Sequence, residues 1–295
     1  MTTPNNQPFD VYQIITDQII AQLNNGIIPW HKPWGDRYLP QNLITKHVYR
    51  GINQLLLCML PYTNNYFLTW EQLQKCKGSV KKGEKGHIVV FWKVIEKEVE
   101  GKEEKEKSTV LRYFKVFNES QCTGIPDSIL KTMETNRENL ALPGCAAFVN
   151  HMPQKPVMTS KGNEAWYDPT IDTANVPPLK KFKDSEAYYG TVFHELVHST
   201  GHQSRLNRKE LTMKTTFGSS TYSLEELTAE IGACFLLSFA GIAKQTHIAN
   251  SAAYVQGWLQ KLQNDKRFII YASTYAQKAV DFIMDIQPEV QHTEA

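Results

Sequence analysis

No stretch of this chain approaches the roughly 18 consecutive apolar residues of a membrane span. Its first residues, Met1 to Asp10, are polar and hold no signal-peptide core. Membrane insertion is therefore not expected. Cysteine is scarce. Cys58, Cys76, Cys122, Cys145 and Cys234 are odd in number, scattered, and form no C-x-x-C pair. A disulfide framework or a zinc-thiolate site is not expected, and a reducing cytoplasm fits. A strong charge of one sign is also lacking. The formal net charge is +2, so any affinity for nucleic acid has to come from a local patch. Internal repeats and low-complexity segments are absent. What remains is 295 residues with 41% apolar and 21% charged content, the composition of a globular protein of about two domains.

The pattern changes along the chain. Val11, Ile14, Ile15, Ile19 and Leu23 recur at helical spacing until Gly26. Helices are also expected over Tyr49–Leu60 and Thr69–Lys75. His87–Val94 and Thr109–Asn118 are β-branched and aromatic, and read as partner strands. Between them, Glu96–Lys107 holds six Glu and four Lys, a solvated hairpin tip or loop. Ala146–Val149 reads as a short strand, and Met158–Asp168 as a hairpin turning at Lys161-Gly162-Asn163. Helices then dominate, over about Ser185–Thr200, Leu224–Ala240, Ile248–Leu262 and Phe268–Ile286. The expected class is α+β, with one domain over 1–130, a linker over 131–145 and a second domain over 146–295.

His194-Glu195-Leu196-Val197-His198 carries the chemistry. On a helix, residues four apart share a face, so both imidazoles can reach one divalent cation, with zinc the usual ion. Glu195 then stands beside them, placed to act as the base on a metal-bound water. A catalytic site needs a third protein ligand and an open position. His202 is poorly placed, because Gly201 is expected to stop the helix first. Glu226 and Glu230 lie i and i+4 on a downstream helix that can pack on the first. Glu226 is the expected ligand, with Glu230 hydrogen-bonded behind a ligand histidine. If Ser223-Leu224-Glu225-Glu226 instead forms a capping box, Glu230 becomes the ligand. Glu225 points about 100° away from Glu226 and is expected to be exposed. Tyr222, His202, Tyr271 and Tyr275 are candidate donors to a developing oxyanion.

A second chemistry lies upstream. From Trp30 to Lys93 there are ten Lys or Arg against Asp36, Glu71 and Glu84. Trp30, Trp34, Trp70 and Trp92 fall in the same window, with Phe91 among the other rings. Cations that track a backbone, mixed with rings that stack on bases, suit single-stranded nucleic acid. Trp30, Lys32, Trp34, Arg50, Trp70, Lys81, Lys82 and Lys85 are the expected contacts.

Both halves resemble a known family. Gly26-Ile-Ile-Pro-Trp-His-Lys-Pro-Trp34 resembles the G-x-x-P-W-x-x-P-W signature of the ArdC antirestriction family, whose N-terminal domain is shared with plasmid TraC-type primases. Pro40-Gln-Asn42, Tyr49-Arg-Gly-Ile-Asn53, Phe67-Leu-Thr-Trp70 and Val80-Lys-Lys-Gly-Glu-Lys-Gly86 continue the likeness. His194-Glu-Leu-Val-His198, Thr200-Gly-His202, Ser204-Arg-Leu-Asn-Arg208 and Glu225-Glu-Leu-Thr-Ala-Glu-Ile-Gly-Ala233 resemble its zincin-like peptidase domain. The E-x-x-A-E run from Glu226 is similar to the gluzincin helix whose first Glu binds zinc.

The resemblance implies an N-terminal domain that binds single-stranded DNA and a C-terminal gluzincin-type metallopeptidase domain. It implies a bacterial, cytoplasmic, plasmid-borne protein that shields conjugative DNA from host restriction. One divalent metal is implied, zinc first, with manganese or cobalt accepted by the same donors. A host restriction subunit or regulator is the implied protein target. Two other readings stay open: a binding protein whose zincin fold is a scaffold, and a regulatory peptidase that the DNA-binding half only localises.

Overall fold

The computed structural model describes residues 10–31, 39–62, 64–97, 106–130, 144–182, 184–208, 220–241 and 252–287. Helix α1, Val11–Asn24, starts where the Asp10 carboxylate accepts from the amides of Tyr12 and Gln13. Its inner face, Val11, Ile15, Ile19 and Leu23, is buried. A single 3-10 turn, Pro29–His31, follows. The helix expected over Tyr49–Leu60 is shorter, α2 over Ile52–Cys58. Gly51 sets its start with φ +58 and ψ −133, a backbone region open essentially to glycine alone. The Gly51 amide donates to Gln277 Oε1 at 2.8 Å.

A four-stranded sheet stands beside these helices. Its strands are β1 (Gln41–Asn42), β2 (Tyr66–Thr69), β4 (His87–Lys97) and β5 (Glu106–Asn118), in the order β1-β2-β5-β4. β1 and β2 are parallel; the other pairs are antiparallel. Helix α3, Trp70–Lys75, leaves β2 through a capping box between Thr69 and Gln72. β3 (Ser79–Val80) and β6 (Cys122–Thr123) form a separate two-stranded ribbon.

Two sequence-based expectations fail in the second half, and one alternative is excluded. Ala146–Val149 is not a strand: it lies inside α4, Cys145–His151. Cys145 and Phe148 are its buried residues, a one-turn spacing, and two alanines favour helix. Met158–Asp168 is not a hairpin. β7 (Val157–Thr159) and β8 (Trp166–Asp168) both pair with β9 (Thr173–Asn175), parallel and antiparallel respectively. All three β9 residues are buried, so this short strand takes the centre. The capping box at Ser223 does not form, because the helix already begins at Ser220. The expected linker lies mostly outside the described residues.

The remaining helices are α5 (Ser185–Thr200), α6 (Ser220–Phe239), α7 (Ala252–Asn264) and α8 (Phe268–Ile283). Asp184 caps α5 by accepting from the Ala187 amide. Gly201 follows its last residue, in a right-handed conformation (φ −74) rather than the left-handed one of a glycine stop. α5 and α6 approach closely. A Cβ added at Gly232 would meet Val197 Cγ2 at 2.7 Å, so only glycine admits this packing without a shift.

One apolar core joins both halves. It holds Ile15 and Ile19 of α1, Trp30, Leu55, Phe193 of α5, Phe235 of α6, and Ile269 of α8. Across it, Trp30 meets Trp258 edge-on at 6.1 Å, Thr16 Oγ1 donates to the Lys266 carbonyl, and Arg50 pairs with Asp281. Among the described residues no helix is long and apolar enough to cross a membrane.

Candidate metal centre

His194 and His198 stand one turn apart on α5, and their Nε2 atoms approach to 3.1 Å. The Glu226 carboxylate comes in from α6, 3.6 Å from His194 Nε2 and 3.5 Å from His198 Nε2. Donor atoms of these three residues all lie within 4.8 Å of one another. A tetrahedral cation with bonds of about 2.1 Å holds its ligand atoms about 3.4 Å apart. The two imidazole nitrogens stand 3.1 Å apart, and each has a different Glu226 oxygen near it, Oε2 at 3.6 Å from His194 and Oε1 at 3.5 Å from His198. These separations are close to that spacing, so the three side chains can surround one small divalent ion.

The orientation of His198 is fixed from behind. Its Nδ1 is 3.0 Å from Glu225 Oε1; a proton donated there leaves the Nε2 lone pair facing His194 and Glu226. Glu225 is in turn held by Arg208. The guanidinium donates through Nε to Oε2 at 2.8 Å and through Nη2 to Oε1 at 2.6 Å. Arg208 also donates to Thr200 Oγ1 and to the Val197 carbonyl, which ties it to the end of α5. Glu225 and Arg208 are 4% and 5% exposed, so the expectation of an exposed Glu225 is wrong. Its direction on α6 turns it toward a buried cation rather than toward water.

These contacts set the charges. Burial alone would push the Glu225 carboxyl up, but the Arg208 charge and hydrogen bonds bring it down to about 2. Burial also disfavours a charged His198. The hydrogen bond to Glu225 and the charges of Glu225, Glu226 and Glu195 outweigh it and raise the imidazole above its ordinary value. A field that retains a proton there also favours a cation. Glu195 is 6% exposed. Burial lifts its carboxyl above the usual range, against the pull of His198 and His194. The His194 and Glu226 side chains are 26% and 29% exposed, so the cluster opens to solvent on their side.

Other expected site residues fall elsewhere. Glu230, one turn beyond Glu226, accepts from the Trp30 indole at 2.8 Å. Trp30 itself is fully buried and cannot stack on a base: it plugs the core shared by the two halves. His202 turns its Nδ1 to Ser204 Oγ at 2.8 Å. Tyr271 lines a cavity with Gln13 and Arg267. Arg50, an expected DNA contact, is ion-paired to Asp281 of α8. Trp70 is 51% exposed and lies against Phe117. Lys81, Lys82 and Lys85 are exposed, with the Lys81 ammonium on the Ser120 carbonyl. Lys32, Trp34 and the Tyr222 side chain lie outside the described residues. The pairing of Glu225 with His198 and Arg208 is not predicted from the sequence. The adjacent Glu225-Glu226 pair was a signal, since two carboxylates about 100° apart can flank one imidazole from two sides.

A histidine helix packed on a glutamate helix beside a small sheet defines the zincin-like class, and residues 146–275 match the zincin-like metallopeptidase family. Residues 9–117 match the N-terminal domain of the anti-restriction factor ArdC. Two crystal structures of antirestriction ArdC protein from plasmid R388 are similar to the chain. The metal-free one is 35% identical with a TM-score of 0.76, covering 94% of this chain and 98% of that one. The Mn(II)-bound one is 34% identical with a TM-score of 0.74, covering 96% and 100%. Protein y4eC of Sinorhizobium fredii (strain NBRC 101917 / NGR234) is 30% identical over 97% of this chain and 95% of its own length. A DNA primase TraC of Escherichia coli is 32% identical over 97% of this chain, which spans only 20% of the primase. The chain belongs to the ArdC antirestriction family.

Proposed function

We propose that the chain is an antirestriction factor with two working parts. Its N-terminal half, 1–130, binds single-stranded DNA. Its C-terminal half, 146–295, holds one divalent cation through His194, His198 and Glu226 and has peptidase-type hydrolysis as its chemistry. The observation that carries this reading is the donor cluster, two imidazoles and a carboxylate whose donor atoms all lie within 4.8 Å of one another. Two imidazoles and a carboxylate accept zinc, manganese or cobalt, and the R388 relative is described with Mn(II).

A bound cation would polarise a scissile carbonyl and acidify water at the open side of the cluster. Glu195, buried and with a raised proton affinity, takes a proton from water and returns it to the leaving amine. Glu225 keeps His198 in one tautomer, and Arg208 keeps Glu225 charged. The named relatives, DNA primases among them, support DNA as the ligand of the first half. A restriction subunit or a host regulator is the proposed protein target.

The test is protection of unmodified conjugative DNA in a restricting host. Glu195→Gln removes the base while leaving the cation ligands in place. The proposal expects protection to be lost in this variant although metal content is kept. Full protection by a metal-loaded Glu195→Gln protein would instead make the second half a scaffold.

A further inference from the structure

β4 and β5 form one long hairpin, paired from His87 with Val116 to Lys97 with Glu106. Directly opposed residues of an antiparallel ladder share a face. The register therefore puts Phe91, Lys93, Arg112 and Phe114 on one face, and Val90, Trp92 and Leu111 on the other. The second face meets the core at Val90 and Leu111, each 6% exposed, while Trp92, 40% exposed, has its ring beside Tyr12. Among the described residues the first face is covered at its base, where Val89 is fully buried in a cluster with Phe67 and Val116.

Further along, this face opens. Phe114 is 38% exposed, Phe91 is half-buried, and their ring centroids stand 5.9 Å apart at 52°. Arg112, directly opposite Phe91, and Lys93, two residues along, are both exposed. Between His87 and Ile95 and between Ser108 and Phe117 this face carries Lys93 and Arg112 and no Asp or Glu; the strands' acidic residues, Glu96 and Glu106, stand at the far end of the hairpin. Half-exposed rings flanked by exposed cations complement a ligand with flat apolar faces strung on an anionic backbone.

We propose that this face of the hairpin is the platform on which single-stranded DNA stacks, with Phe91 and Phe114 against bases and Arg112 and Lys93 on the flanking phosphates. The inference rests on the reading of the N-terminal half as a single-strand binder. It moves the contacts from the buried Trp30 segment to a surface that can receive them. Unpaired bases expose their faces, whereas a duplex hides them, so the platform discriminates between the two.

The test is fluorescence polarisation of a labelled oligodeoxythymidine with the full chain over a range of KCl. Phe91→Leu and Phe114→Leu keep the apolar bulk and remove the ring. Each is expected to weaken binding about five- to a hundredfold, while Phe114→Tyr stays near the parent. Arg112→Gln, on an exposed side chain, is expected to lower the slope of log affinity against log salt by about 0.7. If the parent binds but the double Leu variant and Arg112→Gln bind as the parent does, the platform is wrong and the single-strand reading survives. If the parent prefers duplex, or does not bind, both fall together.

Discussion

Replacing Glu225 by Gln is a sharp perturbation of the centre because it changes one atom type and almost no volume. Glu225 Oε1 accepts from both His198 Nδ1 and Arg208 Nη2, and Oε2 accepts from Arg208 Nε. A glutamine amide keeps one acceptor but turns an NH2 toward a donor. Two losses follow. The first acts on the cation. Removing the group that orients a ligand histidine lowers metal affinity about 10- to 100-fold, or about 1.4 to 2.7 kcal/mol.

The second loss acts on the fold, because Arg208 is left with a buried charge. Breaking a buried pair on one side costs about 3–5 kcal/mol. Arg208 keeps its bonds to Thr200 and the Val197 carbonyl, so the lower end of that range is expected. Adding Arg208→Met to Glu225→Gln removes the orphaned charge and is expected to restore much of the fold stability but none of the metal affinity. Competition with a chromophoric chelator reads the first loss, and urea unfolding of the metal-stripped proteins reads the second. Parent-like metal affinity in folded Glu225→Gln would refute the idea that this carboxylate governs His198.

Three further outcomes are expected. Gly232→Ala forces a Cβ against Val197 Cγ2 and costs about 1–3 kcal/mol in urea unfolding; adding Val197→Ala should recover most of it, and no loss would contradict the close helix contact. Trp30→Phe deprives Glu230 of the indole donor and lowers stability by about 1–3 kcal/mol, with affinity for oligodeoxythymidine unchanged; a large affinity loss at full stability would return Trp30 to the DNA surface. The Arg205 hydrogen bond holds the Asp172 carboxyl below its ordinary 3.8. That stabilisation is therefore full above the unfolded value and fades as pH falls below it toward the folded value. Asp172→Asn should flatten this acid limb in thermal melts taken from pH 5 downward, and an unchanged limb would show that the pair does not act.

What was legible in the sequence follows from what spacing can determine. The i, i+4 histidines are legible because one helix fixes both directions, and the Glu226 contact needs only that α6 begin early enough to pass under them. The role of Glu225 is not legible, because its environment depends on Arg208 folding back from beyond α5. Trp30 next to Lys32 reads alike whether the indole stacks on a base or fills a core. Only the tertiary meeting with Trp258 and Glu230 decides between them. β9 is three residues long and wholly buried, too short to show a period. The long hairpin, by contrast, is legible in both of its strands, and its register turns composition into a face.

The central claim is that His194, His198 and Glu226 together hold one cation. Anomalous diffraction at the metal edge, on crystals of the zinc-loaded chain, tests it most directly. The account predicts a single peak per chain, bonded to the Nε2 atoms of both histidines and to a Glu226 carboxylate oxygen. A peak elsewhere, or an ion that leaves Glu226 unbound, would contradict it.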